Sequence, residues 1–231
     1  MWLKRVYQAK MGDMSGRQVL TKTALVFLSS AITAFGVGLF ICSGLGSDSI
    51  SVWLDGLDHT FHIGIGTASL LTNTVTLSTA LLFCRRFVNV GTAVMALFFA
   101  WVLGLCEPWM RAMAAAHAGL SFHAVMVVAG LAIMIFGWSF TVSLRFGFDS
   151  TDAILFEILL HRPRWQYRFL KIALDGTFIT AGFLLGGVVG IGTVMSFLLT
   201  GPGVGLLVPH IDRLILRPLG VSDPQNQQMD R

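Results

Sequence analysis

The sequence predicts an all-α polytopic membrane protein whose six transmembrane helices form two inverted three-helix repeats. Three observations lead to this prediction. Only 12% of the 231 residues are charged, whereas a soluble domain carries about 25%. Apolar runs of about 20 residues recur along the chain, which is the length a helix needs to cross a bilayer, and mean hydropathy is +0.75. The two halves of the chain also resemble each other. A short amphipathic or re-entrant helix is expected after the first span of each repeat.

The predicted elements follow from these apolar runs. Repeat 1 (residues 20–110) holds spans at 20–42, 65–83 and 91–109, and repeat 2 (residues 121–211) holds spans at 121–144, 166–186 and 191–209. The segments 47–61 and 150–161 also predict helices, but they are too short to cross a bilayer alone. Residues 1–19 and 212–231 are predicted tails. The run after the first tail is too long for a signal-peptide core, so we expect it to remain as the first span.

The basic residues predict the orientation of the spans. Fifteen of the 16 Lys and Arg residues flank the same ends of the predicted spans, and only Arg111 lies on the opposite side. Positive charge near short loops is retained in the cytoplasm. Both termini are therefore expected to be cytoplasmic, and the pI of 9.3 reflects orientation. No nucleic-acid partner is expected.

The short segment 47–61 begins with a polar cluster, Ser47-Asp48-Ser49, whose oxygens suit a helix N-terminus. The second segment begins similarly at Asp149-Ser150-Thr151-Asp152 and is more apolar. Two interpretations remain open. Both helices lie flat on opposite membrane surfaces, or both are re-entrant, so that their polar starts line a cavity where irregular backbone is sheltered from lipid.

An internal repeat supports a transporter-like plan. The stretch "VGTAVMALFFAWVLGLCEPWM" aligns without a gap on "IGTVMSFLLTGPGVGLLVPHI", and "GLGSDSISVWLDGL" resembles "GFDSTDAILFEILL". The alternative is chance similarity between apolar helices. An odd number of spans in each copy inverts the second copy, as in many secondary transporters, whose sites form at the repeat interface. The matched positions are Gly91 with Gly192, Thr92 with Thr193, Gly104 with Gly205, Pro108 with Pro209, Gly44 with Gly147, Ser47 with Ser150, and, with a small shift, Asn73 with Asp175.

These motifs resemble the YczE/YyaS/YitT-type bacterial membrane proteins, most closely the YczE branch. The resemblance covers about residues 20–215 and rests on "GLGSDSIS", "IGTAS", "VGT", "GFDSTDAI" and "GGVVGIGTVMSFLLTGP". The family's Gly-x-Gly-Pro-x-Asp pattern is matched at Gly147, Ser150 and Asp152, with Asp149 at the middle glycine and Ser150 at the proline. In the first repeat Ser49 stands at the aspartate position, and Asp48 comes one residue early. The resemblance implies this architecture and a bacterial cytoplasmic membrane, but no particular activity.

Asp175 is the sharpest single candidate for function. A charged side chain at full depth in a bilayer costs roughly 2.5–3.5 kcal/mol, so it should face the protein interior or water. Proton or cation coupling is one role, and an interfacial carboxylate paired with Lys171 or Arg168 is the alternative. Gly201-Pro202-Gly203 is predicted to interrupt the sixth span as a hinge or binding element. The candidate pathway residues are Gly44, Gly46, Ser47, Asp48, Ser49, Asn73, Gly147, Asp149, Ser150, Asp152, Asp175, Gly201 and Pro202.

Other polar groups are interpreted as structural. The group Asp55, Asp58, His59 and His62 could be a metal site, since Asp55, His59 and His62 share one helical face. No fourth ligand is evident, so a solvated polar face is favoured and no metal or cofactor is expected. Glu107, next to Pro108, is also interpreted as structural. The three cysteines have no Cys-x-x-Cys spacing and predict no disulfide framework.

No catalytic triad and no phosphate-binding loop are present, so the sequence does not predict an enzyme. The leading hypothesis is a small-molecule permease with a site near the midplane at the repeat interface. The alternatives are a membrane accessory or scaffold protein for a biosynthetic or signalling system, and a substrate-binding subunit of a larger transporter. The expected partners are the lipid bilayer, a small-molecule substrate with proton or cation coupling, and a second copy of the chain in a homodimer.

Overall fold

A computed structural model describes residues 16–88, 90–117, 119–146, 149–162 and 164–216. Within these ranges the chain forms eight α-helices and no strand, which confirms the all-helical prediction. Most of both predicted tails lies outside the described residues. The helices are α1 Gly16–Cys42, α2 Ser49–Phe61, α3 Ile65–Phe83, α4 Val90–Ala116, α5 Leu120–Leu144, α6 Ser150–His161, α7 Tyr167–Leu184 and α8 Ile191–Ile211, with a 3₁₀ turn at Arg85–Phe87 and a π turn at Asp212–Leu216.

Five helices are long and apolar enough to cross a membrane: α1, α3, α4, α5 and α8. The helix at the fifth predicted span (166–186), α7, has 18 residues and carries Arg168, Lys171 and Asp175 along its length. Because of these three charged residues, α7 is not among the described helices that are apolar enough by composition to cross a membrane.

Two long helices continue further than the sequence predicts. α4 runs through Pro108 to Ala116, beyond the predicted end at 109. α8 runs as one helix through Gly201-Pro202-Gly203 and through Pro209, so the predicted interruption of this helix is wrong. A proline removes only its own N–H, and transmembrane helices tolerate this where neighbouring groups compensate.

The centre of the fold is the pair α1 and α5, which approach closely through small residues. Ideal side chains on Gly36, Gly130 and Gly137 would overlap the backbone or a threonine of the opposite helix. Close approach at small residues is the usual way in which helices associate in a bilayer, because van der Waals packing drives their contact. α4 packs against α1, and α8 packs against α5.

The two short helices pack mainly on long helices of the other half of the chain. α2 packs against α7, and α6 packs against α3. The contact of α2 with α7 depends on Gly182, where a side chain would overlap the backbone of Val52 and Trp53. Gly56 lies against the same glycine from the α2 side.

The starts of α4 and α8 also contact the opposite half. A side chain on Gly192 would overlap the backbone of Gly46, which precedes α2. A side chain on Gly91 would overlap the backbone of Phe146, which precedes α6. Gly192 N donates to the carbonyl of Leu45 at 3.0 Å. Gly46 itself has φ +92°, a conformation that favours glycine. Gly91 and Gly192 therefore each allow the start of a long helix to approach the chain that precedes a short helix.

We expect Gly182→Val to destabilise the protein, because the added side chain would push α2 away from α7. Overpacking of this kind costs about 1–3 kcal/mol. Gly176→Val is the matched control, since it lies in the same helix and an added Cβ there meets nothing within 4 Å. Thermal unfolding of both variants in detergent measures the difference. Equal midpoints would contradict the close α2–α7 contact.

Candidate functional site

The starts of the two short helices converge on one enclosed cavity of about 70 Å³. Asp48 is the N-cap residue of α2, and its Oδ1 accepts a hydrogen bond from Ser51 Oγ at 2.5 Å. Asp149 caps α6, and its Oδ2 accepts from the backbone N–H of Thr151 at 2.9 Å. Both aspartates line the cavity. Its other polar lining residues are Ser30, Thr33, Ser51, Ser69, Asn73 and Thr141.

Each short helix begins beside the interior of a long helix. Ser49 Oγ donates to Asp175 Oδ1 at 2.6 Å, and Asp175 lies midway along α7. Ser150 Oγ is 3.0 Å from the hydroxyl of Thr76, inside α3. At the far end of α2, Thr60 Oγ1 donates to the carbonyl of Leu185 at 2.8 Å, just past the end of α7. α2 therefore runs from the middle of α7 to its end, which favours the re-entrant interpretation over a helix lying flat.

A second cavity, an open cleft of about 580 Å³, lies between α7 and α8. α3 packs closely against α4, but among the described residues the corresponding pair α7 and α8 makes few contacts. The cleft is the space between these two helices. Its charged lining residues are Asp48, Asp175, Arg168 and Lys171, and its polar ones are Ser49, Tyr167, Thr193, Ser196 and Thr200.

Asp48, Ile50 and Trp138 line both the enclosed cavity and the open cleft. The start of α2 therefore forms part of the wall between them. A molecule in the cleft and an ion in the cavity would both lie beside the Asp48 carboxylate. The charge of Asp48 can therefore couple an ion in the cavity to a molecule in the cleft without direct contact between them.

The acidic residues of the site have different partners. Asp175 accepts from Ser49 and lies 3.4 Å from Lys171 Nζ, so the pairing with Lys171 considered from the sequence is present. Asp152 accepts a hydrogen bond from the Tyr167 hydroxyl at 2.9 Å. Asp48 and Asp149 form no ion pair with a described basic side chain.

Burial is the largest influence on the pKa of two of these carboxyl groups, Asp48 and Asp152. It raises the pKa of Asp48 above its usual range, with the hydrogen bonds from Ser51 acting in the opposite direction. Burial also raises the pKa of Asp152, and repulsion from Asp149 adds to this shift. Both shifts reflect the cost of keeping a carboxylate charged away from water.

Asn73 and Asp175, which the repeat pairs with each other, lie in different cavities. Asn73 Nδ2 donates to the carbonyl of Ala96 at 2.8 Å and to Ser69 Oγ at 3.4 Å, and Asn73 lines the enclosed cavity. Asp175 lines the open cleft. The charged member of the pair therefore faces the more accessible space.

The structure brings some predicted residues together and leaves others apart. Asp48, Asn73 and Asp149 line the cavity, and Asp48, Ser49, Asp175 and Gly201 line the cleft. Gly44 is exposed, with no atom near an added Cβ, while Gly46 packs on the start of α8 and Ser47 is buried. Ser150 contacts Thr76, Asp152 contacts Tyr167, and Pro202 lies in α8 without lining either space. Gly147 lies outside the described residues.

The predicted solvated face of α2 is wrong for its two aspartates. Asp55 accepts a hydrogen bond from the backbone N–H of Val188 at 2.8 Å. Asp58 accepts from the N–H of Gly64 at 2.8 Å and pairs with Arg111. These carboxylates are engaged because the loop after α7 and the end of α4 pack over this face.

An ionic network that the sequence did not predict joins α2, α3 and α4. Arg111 Nε donates to Glu107 Oε1 at 2.9 Å, and the guanidinium also pairs with Asp58. Glu107 Oε2 accepts from the N–H of Gly66 at 3.1 Å, near the start of α3. Arg111 was the one basic residue on its side of the predicted membrane, and that exception was the available signal. Glu107 therefore joins α4 to the start of α3.

The helices and the site define a class of protein: a helical membrane protein in which the starts of two short helices meet at a central cavity. The chain belongs to a family of unknown function, DUF6198, which it matches over residues 20–209. This confirms the family resemblance found in the sequence.

The alignments with two relatives cover most of this chain and most of each relative. An uncharacterized protein of Haemophilus influenzae is 27% identical over 201 residues, which is 85% of this chain and 87% of that protein. The uncharacterized membrane protein YczE of Bacillus subtilis is 21% identical over 200 residues, which is 86% of this chain and 91% of that protein. No solved structure matches the chain.

Proposed function

We propose that the chain is a small-molecule permease of the bacterial cytoplasmic membrane, with six spans arranged as two inverted repeats. The observation that carries the proposal is the Ser49–Asp175 hydrogen bond. It joins the start of a short helix to the middle of a long one, in the wall of an open cleft. Discontinuous helices that begin at mid-depth are how many secondary transporters form their sites.

In this proposal α7 also crosses the membrane, as the fifth span in chain order, which brings the total to six. Its 18 residues give a helix of about 27 Å at a rise of about 1.5 Å per residue, close to the ~30 Å hydrocarbon core. Phe169, Phe183 and Leu184 are exposed apolar side chains on α7, as lipid contact requires. Arg168 and Lys171 lie near its start, where long basic side chains reach the interface. Asp175 faces the cleft.

Corresponding contacts in the two halves support the inverted repeat. The packing of α2 on α7 matches that of α6 on α3, and the packing of α1 on α4 matches that of α5 on α8. Gly192 against Gly46 likewise matches Gly91 against Phe146. These pairings add to the sequence similarity on which the proposed repeat rests.

The orientation follows from the basic residues. Arg85, Arg162 and Arg164 are located at the ends of helices that the proposal assigns to the cytoplasmic side, which agrees with retention of positive charge. α6 then enters from the cytoplasmic side and α2 from the outer side, and their starts meet between the two faces.

The cleft suits a small polar solute. Two carboxylates, two basic side chains and several hydroxyls line it, so a ligand with charged or hydrogen-bonding groups would find partners there. We further propose that movement of the solute is coupled to a proton or another cation through Asp175 and Asp48.

Flux measurements in proteoliposomes test this function. A panel of small polar solutes is followed with and without a proton gradient. No flux of any solute through folded protein would contradict the permease. A need for a stoichiometric partner would favour a scaffold role, and a need for added ATPase components would favour a subunit of a larger transporter.

Thr200→Trp tests the cleft as the route. Thr200 lines the cleft, so an indole there should reduce flux at least about tenfold by filling the space that the solute needs. Leu198→Trp is the matched control, because Leu198 lies in the same helix and is 60% exposed on its apolar surface. Equal flux in the two variants would contradict the route.

A further inference from the structure

The enclosed cavity at the starts of α2 and α6 contains oxygens that the protein leaves without partners. Ser30 Oγ is buried, at 3% exposure, with no hydrogen-bond partner among the described residues. Ser30 is located on α1 and lines the cavity. A buried hydroxyl without a partner is costly, so this side chain indicates that something else fills the cavity.

Three further oxygens in the cavity wall remain available. Both hydrogen bonds of Asn73 use its Nδ2 atom, which leaves Oδ1. The backbone N–H of Thr151 uses one carboxylate oxygen of Asp149, which leaves the second. The carboxylate of Asp48 accepts from the hydroxyl and the backbone N–H of Ser51 and retains lone pairs for a further partner. None of the residues that line the cavity is Lys, Arg or His. The wall therefore offers neutral and anionic oxygens but no cationic group.

Two carboxylates beside one small cavity repel each other, and burial of an unpaired charge is unfavourable. The positive ends of α2 and α6 offset part of this charge. A bound cation would compensate the rest, and hard cations prefer oxygen ligands of this kind. A divalent ion such as Ca²⁺ takes 6–8 oxygens, more than the wall leaves free, so the site suits a small monovalent ion with accompanying water.

We propose that this cavity binds Na⁺ or a cation of similar size, with Ser30, Asn73, Asp48 and Asp149 as its oxygen ligands. The cavity volume of about 70 Å³ exceeds the ~10–15 Å³ that a single water needs on the same measure. An ion and one or two waters therefore fit. Binding to the folded protein does not depend on solute transport.

Thermal unfolding of the purified chain in detergent tests the site at neutral pH. NaCl is titrated against choline chloride at constant ionic strength. Because an ion that binds only the folded state stabilises it, the midpoint should rise with Na⁺ and saturate. A midpoint that stays constant as Na⁺ replaces choline would overturn the proposal, because ionic strength is the same throughout.

Ser30→Ala and Ser29→Ala form a matched pair. Ser30→Ala removes an unpartnered hydroxyl, so stability in choline should be unchanged or higher, while the Na⁺ concentration for half-maximal stabilisation should rise about tenfold. Ser29 is also fully buried, but it donates to the carbonyl of Val26 and accepts from Thr141. Ser29→Ala should therefore lower the midpoint in both salts and keep the Na⁺ response.

Asp149→Asn gives a second test. Asparagine caps a helix about as well as aspartate, so the fold should be retained, but the charge that attracts the cation is removed. The Na⁺-dependent rise should be lost. A wild-type Na⁺ response in both Ser30→Ala and Asp149→Asn would overturn the site.

Discussion

Arg111→Ala is expected to destabilise the protein by about 2–3 kcal/mol, near the lower end of the cost of leaving a buried carboxylate unpaired. Arg111 pairs with both Glu107 and Asp58, whose side chains are 9% and 16% exposed. Without the guanidinium, two largely buried carboxylates would face each other. Because Arg111 is itself 47% exposed, water should reduce the loss. The free energy of unfolding in detergent micelles measures it.

Two variants separate charge from geometry in this network. Arg111→Lys keeps the positive charge but loses the planar fork that contacts both partners, so an intermediate loss is expected. Glu107→Gln added to Arg111→Ala should recover part of the loss, because a neutral amide tolerates the absence of a cation and still accepts from Gly66. No recovery would show that Arg111 acts through packing instead of charge.

The helices could be predicted from the sequence because each apolar run carries its own length and end signals. α3 has the predicted bounds, and α5 differs by one residue at its start. The interruption at Gly201-Pro202-Gly203 was predicted wrongly, because local propensity cannot register the support that a helix receives from its neighbours. The end of α4 was predicted at 109, just after Pro108, but lies at Ala116 for the same reason.

The candidate site was predicted only in part, since it depends on contacts between distant residues. Polar caps marked the starts of α2 and α6, and their similarity suggested that they belong together. The Ser49–Asp175 bond joins positions 126 residues apart, and no local pattern contains it. Ser30 gave no signal, because a serine in an apolar helix usually bonds to its own backbone.

The different environments of Asn73 and Asp175 also could not be predicted. The repeat alignment treats them as equivalent, but α3 packs on α4 while α7 stands apart from α8. One side chain therefore lines the small cavity, and the other lines the larger cleft. The charge of Asp175, absent at Asn73, matches its access to polar solutes.

Asp175→Asn is expected to abolish coupling of solute flux to the proton gradient. This prediction rests on the proposed permease function. The amide keeps an oxygen that can accept from Ser49, so the start of α2 should remain bound to α7. It removes the charge and the titrating group, and it leaves Lys171 without its carboxylate partner. Flux driven by the proton gradient should fall at least about tenfold, while downhill exchange of the same solute persists.

Two controls distinguish coupling from a structural role at Asp175. Ser49→Ala removes the hydrogen bond to α7 but keeps the carboxylate, so coupled flux should continue with a lower thermal midpoint. Lys171→Gln keeps Asp175 and removes its basic partner, so coupled flux should persist. Normal gradient-driven flux in Asp175→Asn would eliminate the coupling role and leave Asp175 as the residue that ties α2 to α7.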